Sequence, residues 1–188
     1  MIDSAPVPAS RLRSRLTLLL IAALFLGSFI IAAVLRFSGW TPDASRNYGE
    51  LLQPPTDLGQ LALLKSDGSR YDWTPERDAW RIVVVPAPGC TIACTRALDA
   101  LHRVWLNQGR KADRIDVLWF GPLPAEGTRF RSLVQMRPNE SLVAALPEPA
   151  TPDGLPVYLV DPSGFLALHY HAGFDPIGLR KDLAKLVK

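Results

Sequence analysis

The chain has 188 residues, room for one domain of common size and a tail. Hydrophobic residues make up 48% and charged residues 21%, which supports a packed core and excludes wholesale disorder. Of 21 basic and 18 acidic residues, four basic (Arg11, Arg13, Arg15, Arg36) and one acidic (Asp3) fall in residues 1–36, leaving 17 of each sign beyond. The isoelectric point of 9.1 is thus a property of the N-terminal segment. It is not a nucleic-acid footprint, and no Gly-rich phosphate loop or basic-aromatic stripe accompanies it.

From Leu16 to Leu35 run twenty residues without a charge. At 1.5 Å rise per residue, about 20 residues cross a hydrocarbon core of roughly 30 Å. A cleaved signal peptide has a shorter apolar run and a small-x-small end, and Ala32-Ala33-Val34-Leu35-Arg36 is a poor cleavage site. A buried globular helix would carry a polar face, and this one has none. A retained span is the expectation. Arg11, Arg13 and Arg15 precede it and only Arg36 follows closely, so the positive-inside rule puts the N-terminus in the cytoplasm. Trp40 falls where an interfacial aromatic would. The division expected is a cytoplasmic tail over 1–15, a transmembrane helix over 16–35, a periplasmic stalk over 36–57 and a folded domain over 58–188. The setting is a single pass through a bacterial inner membrane.

Residues 41–57 are polar and rich in turn formers (Thr41-Pro42-Asp43, Asn47-Tyr48-Gly49, Gln53-Pro54-Pro55), a stalk or extended wrap without regular structure. Residues 61–64, the turn Ser66-Asp67-Gly68-Ser69, and 71–73 read as a β-hairpin. Trp80 to Val85 is short, β-branched and almost wholly apolar, as in a strand buried on both faces. Pro86-Ala87-Pro88-Gly89 stops it. Cys94, Leu98, Leu101 and Trp105 then recur at helical spacing, with Gly109 as the stop.

Residues 114–120 read as a second central strand and 121–127 as a loop. Residues 121–150 give the weakest signal, although Asn139 is placed to cap a short helix over 140–146. Residues 156–160, the turn Asp161-Pro162-Ser163-Gly164, and 165–170 read as a second hairpin. Asp175-Pro176 opens a closing helix that ends near Lys185 and Lys188. The order after the stalk is ββ, β, α, β, (α), β, β, α. This is an α/β arrangement: a mixed central sheet flanked by helices, with a parallel βαβ unit at its centre.

The two cysteines, Cys90 and Cys94, lie where the first central strand gives way to the helix. Free N–H groups and the dipole at a helix N-terminus favour a thiolate, and Cys90 is placed for this. Side chains at i and i+4 share a face. The pair can close a local disulfide or offer two thiolates to a soft metal such as Cu(I). A structural disulfide is the plain alternative, but so short a loop yields little chain-entropy stabilisation. His169 and His171 alternate with Leu168 and Tyr170, so both imidazoles share one strand face. Such a pair can bind a metal or simply form a half-exposed polar face. His102 lies off the apolar face of its helix. The five tryptophans (Trp40, Trp73, Trp80, Trp105, Trp119) read as core and interface anchors.

Gly154-Leu155-Pro156-Val157, followed by a strand and a turn ending in Gly164, resembles the thioredoxin segment that carries the cis-proline. The resemblance implies a cis Leu155–Pro156 bond close to Cys90 and a thioredoxin-like fold behind the single N-terminal transmembrane helix. The C-x-x-x-C spacing after a first strand, the anchor and Asp161-Pro162-Ser163-Gly164 resemble the Sco group, thioredoxin-fold copper proteins of cytochrome c oxidase assembly.

That resemblance covers roughly residues 60–188. It implies Cys90 as attacking thiol or copper ligand, Cys94 as resolving thiol or second ligand, and Pro156 as the residue shaping the pocket. Cu(I) would be the metal handled, and oxidase subunits or other assembly factors the partners. In the Sco group a histidine precedes the last central strand as third copper ligand. This chain has Asp153 or its neighbours there, and no histidine between 103 and 168. Nor does it have the thioredoxin Trp-Cys-Gly-Pro-Cys. Two alternatives follow: a non-catalytic scaffold with a degenerate thioredoxin fold, and a general periplasmic thiol-disulfide oxidoreductase.

Overall fold

The computed structural model describes residues 9–38, 47–73 and 78–187. The chain divides into two units, 1–44 and 45–188. The first holds helix α1, Ala9–Phe37, whose stretch Arg13–Phe37 is long and apolar enough to cross a membrane. Its large apolar side chains are exposed along its length, Leu16, Leu24, Phe29 and Val34 among them. Trp40, Thr41-Pro42-Asp43 and Lys188 lie outside the described residues.

In the second unit the strands are β1 (Glu50–Asp57), β2 (Trp80–Val84), β3 (Ile115–Phe120), β4 (Leu133–Met136), β5 (Val157–Val160) and β6 (Phe165–Tyr170). The helices are α2 (Ile92–Leu106), α3 (Glu140–Ala145) and α4 (Pro176–Leu186), with a 3-10 helix over Gly109–Arg114. Among the described residues the strands form one sheet in the order β1-β6-β5-β2-β3-β4. β2, β3 and β4 are parallel, while β5 runs against β2, β6 against β5, and β1 against β6. The expected fold class holds.

Alternation along the central strands feeds two cores. Ile82, Val84, Val117, Trp119, Val157 and Leu159 pack against Cys94, Leu98 and Leu101 of α2 and Leu179 and Leu183 of α4. Val83, Leu118, Phe120, Tyr158 and Val160 face the other way, onto Leu58, Leu63 and Leu142 of α3. The second core contains a polar network. Fully buried Arg81 donates from Nε to the Tyr71 hydroxyl (3.2 Å) and from a terminal nitrogen to the carbonyls of Asp161 (3.2 Å) and Pro162 (2.8 Å). Tyr71 in turn donates to Asp116 Oδ2 at 3.0 Å. Burial, first, and the Asp116 charge push the Tyr71 pKa up to about 12.

The helix ends follow their capping residues. Asn139 accepts a hydrogen bond from Leu142 N at 2.8 Å. Asp175 accepts from Ile177 N and Gly178 N at 2.9 and 3.0 Å, with Pro176 in the first turn. The turn between β5 and β6 closes at Gly164, whose φ of +97° and close approach to Gly59 leave no room for a side chain.

Three expectations change. The end of the supposed stalk is strand β1, tied down because fully buried Asp182 accepts from Tyr48 N (2.7 Å), Gly49 N (3.0 Å) and the Tyr170 hydroxyl (2.9 Å). The hairpin over 61–73 is short, with one bridge, Leu64 to Arg70, and hydrogen bonds from Lys65 N to Ser69 O and Tyr71 N to Leu63 O, and it also pairs with the β4 edge through Ser66 N to Gln135 O and Arg137 N to Leu64 O. Residues 133–136 form strand β4 within the stretch that was hardest to read.

Candidate functional site

The parallel pair β2–β3 and the crossover through α2 set the site's position, because the chain leaves the carboxyl end of β2 and turns directly into a helix. Cys90 ends the connecting turn, its N–H donating to Ala87 O at 3.2 Å, and Thr91 is the N-cap. Thr91 makes no side-chain cap, so the first-turn N–H groups of α2 have no side chain on them from that residue. This end of the helix offers hydrogen-bond donors and the positive pole of the dipole to a thiolate.

Cys90 and Cys94 are joined in a disulfide with their Cα atoms 5.7 Å apart. The two sulfurs differ in surroundings. Cys94 is 2% exposed within the first core, while Cys90 is half-buried. Cys90 opens on a cleft of about 540 Å³ formed with Thr91, Ile92, Arg96 and the loop residues Pro124 to Glu126. Arg96 adds a cation beside it, and Ile92 is a large apolar side chain left 67% exposed at its rim. Thr128 fixes the loop to α2 by donating from its backbone (3.3 Å) and hydroxyl (2.8 Å) to Asp99 Oδ1. Those hydrogen bonds hold the Asp99 carboxyl below the usual carboxylate range.

Pro156 is buried just before β5. Its neighbour Leu155 packs in the same core as Cys94 and lines, with Ala93, Arg96 and Ala97, a second cleft of about 280 Å³. The Leu155–Pro156 bond is not cis; among the described residues the cis bond is Gln53–Pro54. A two-way bridge between Thr151 and Gly154 (3.0 and 3.2 Å) turns the chain ahead of it, and the trans form, ordinarily lower by about 0.5–1 kcal/mol, carries Leu155 into the core.

Residues 80–188, more than half of the chain, match the family model described as "Transmembrane-like, thioredoxin-like, C-terminal domain". The chain belongs to this family. No curated protein matches the chain in sequence. Among solved structures, the thioredoxin-like domain is similar to Bradyrhizobium japonicum ScoI with copper bound, at 13% identity and a TM-score of 0.51, over 70% of this chain and 99% of that one. It is also similar to yeast Sco1 with copper bound (15%, 0.53, over 69% and 92%) and to a putative electron transfer protein from Aquifex aeolicus (17%, 0.51, over 71% and 97%). At these identities the similarity establishes the fold.

The thioredoxin-like fold separates the histidines from the cysteines. His169 stacks on Tyr158, a residue of the second core, with ring centroids 5.2 Å apart, while Cys94 belongs to the first. The sheet therefore lies between them. His169 and His171 do come together, with centroids 4.5 Å apart, and each stands between two carboxylates. Glu50 Oε2 is 4.0 Å from His169 Nδ1 and 3.2 Å from His171 Nε2, and Glu148 Oε2 is 3.0 Å from His169 Nε2 and 2.7 Å from His171 Nδ1.

The hydrogen bond to Glu148 raises the His171 pKa, whereas burial lowers that of His169. His102 stacks on Phe130 at 5.0 Å and on Trp105 at 6.2 Å, outside both groups. Sequence reasoning missed Glu50 and Glu148. Glu50 lies in β1, whose turn-rich sequence reads as a stalk or extended wrap without regular structure. Glu148 lies in an irregular segment with no periodic signal.

Proposed function

We propose that this chain is a membrane-anchored, periplasmic thiol-redox protein of a bacterial inner membrane that assists cytochrome c oxidase assembly, with Cys90 and Cys94 exchanging between disulfide and dithiol. The observation that carries this reading is the disulfide at an N-terminus of α2 without a Thr91 side-chain cap, with one sulfur opening on a cleft and the other enclosed. A cross-link over so short a loop contributes little to stability, and it ties α2 only to the turn that immediately precedes it, so it joins no distant elements.

In the reduced protein the Cys90 thiolate attacks a client disulfide. A Cys90–client S–S bond forms, the client S–S bond breaks, and the second client sulfur leaves as a thiolate. Cys94, deprotonated, then attacks the Cys90 sulfur, re-forms the internal disulfide and releases the client as a dithiol. Two electrons pass to the client, and a dithiol donor of the compartment must return them. Arg96 and the α2 N-terminus stabilise the Cys90 thiolate, and the exposed Ile92 offers the client an apolar contact.

Copper is the second reading, favoured by the copper-bound Sco proteins of the same fold. Reduction would free two soft thiolates, one in the turn before α2 and one in its first turn, for Cu(I) as cargo. Among the described residues, the cluster of three metal-ligating side chains is Glu50, His169 and His171, which contains neither cysteine. Among the described residues no His, Asp or Glu joins the two sulfurs in such a cluster, which favours thiol exchange.

The test is a full-length Cys94→Ala variant expressed in the native cell. It is expected to trap a mixed disulfide through Cys90 with an oxidase subunit or assembly factor, and a Cys90→Ala variant to trap none. If neither traps a client and the double variant supports oxidase activity as the wild type does, the chain acts as a scaffold and the redox reading fails.

A further inference from the structure

We infer that Glu50, His169 and His171 form a second site, on the sheet face opposite the disulfide, for a borderline divalent first-row cation of the Zn²⁺ or Cu²⁺ class, with Glu148 as the carboxylate behind both imidazoles. One ligand atom from each of the three residues lies within 4.8 Å of the others. The register of the β1–β6 ladder produces this grouping: Glu50 is the cross-strand partner of His169, and His171 follows two residues later on the same face.

The ring nitrogens divide their work. Nδ1 of His169 and Nε2 of His171 face Glu50 Oε2 at 4.0 and 3.2 Å. The opposite nitrogens face Glu148, and His171 Nδ1 makes a 2.7 Å hydrogen bond to it. A carboxylate behind a ligating imidazole is the usual outer-shell arrangement of metal-binding histidines, fixing tautomer and ring direction.

The independent observation is His169 itself. It is 3% exposed, and its Nε2 is without a hydrogen bond of good geometry although Glu148 Oε2 is 3.0 Å away. A buried imidazole without a good partner is costly unless another ligand fixes the ring. A metal on Nδ1 would fix the ring and the Nε2–H tautomer, which places a proton on the nitrogen 3.0 Å from Glu148 Oε2.

Glu148 is itself braced. The Tyr158 hydroxyl donates to its carbonyl, and Ala172 N donates to its Oε1 at 3.4 Å. The site opens on a cleft of about 450 Å³ bounded by Asn47, Tyr48 and Phe174, which leaves a coordination position for water or an exogenous ligand. Two imidazoles and a carboxylate suit Zn²⁺ or Cu²⁺, whereas Ca²⁺ and Mg²⁺ take oxygen donors and Cu(I) prefers sulfur.

The test uses the full chain in detergent, metal-free and with its disulfide intact, titrated with Co²⁺ as a spectroscopic stand-in and then with Zn²⁺ in competition. One equivalent is expected to bind. Affinity should fall more than tenfold in Glu50→Gln and His171→Ala, whose side chains are exposed so that folding is retained, and should not change in the Cys90→Ser, Cys94→Ser double variant. Glu148→Gln should weaken binding by about 10- to 100-fold. No saturable binding, or binding that survives Glu50→Gln and His171→Ala, overturns the assignment.

Discussion

Single residues decide more here than their hydropathy suggests. Arg81 sits in the middle of an apolar run, and Asp116 holds the equivalent position in the next strand; the two are register partners across β2 and β3. Sequence pattern alone identified the strands but gave no reason for the charges. The structure shows that a chain segment distant in sequence, around Tyr71, completes their network, information no local window contains. Arg81→Met is expected to destabilise the domain by about 3–5 kcal/mol, because it leaves the Tyr71 hydroxyl and two carbonyls buried without their donor. Denaturant unfolding checks this, and a loss below about 1 kcal/mol would contradict it. The cysteines, by contrast, were legible as candidates because a strand–turn–helix signal surrounds them.

Among the elements, those with strong local signals were legible: β2, β3, β5, β6 and the capped helices α3 and α4. The edges were not. β1 is amphiphilic, interrupted by two prolines and largely exposed, so its place depends on Asp182 and not on its own pattern. Gly49 belongs to the same dependence, since a side chain there would meet the Tyr170 ring at 2.7 Å. Asp182→Ala should cost about 3 kcal/mol by stripping the acceptor from three donors. Hydrogen exchange should then quicken first in residues 50–57; uniform quickening across the sheet would contradict this role.

The loop over the cysteine cleft has its own latch. Asp99 has a lowered pKa in the fold, so its contribution is complete above the ordinary value of 3.8 and is lost as pH falls through the lowered one. Thermal unfolding measured from pH 6 down to pH 2 should show a steeper acid loss for the wild type than for Asp99→Asn. Equal slopes would show that the Thr128 contacts contribute nothing.

At the scale of the whole molecule, composition and hydropathy already separated an apolar N-terminal helix from an electrically balanced domain. The helical stretch of 25 residues is about 37 Å long, sufficient to cross a bilayer with some tilt. The fold was legible because its βαβ centre and terminal hairpin are written in local patterns. The second candidate site was half legible, as the His169–His171 pair, since the carboxylates on either side come from an edge strand and an irregular segment. The proposed orientation predicts that protease added outside the inner membrane digests the domain while leaving the N-terminal tail protected; a protected domain would reverse it.

Whether Cys90 and Cys94 are a working redox pair is decided by an equilibrium redox titration of the full-length protein in detergent, read by thiol alkylation and mass. A reversible two-electron transition is expected between about −270 and −120 mV, the range of thiol-exchange proteins, with the fold intact in both states. A pair that stays oxidised below about −300 mV, or that reduces only as the domain unfolds, would make the disulfide structural and overturn the redox reading.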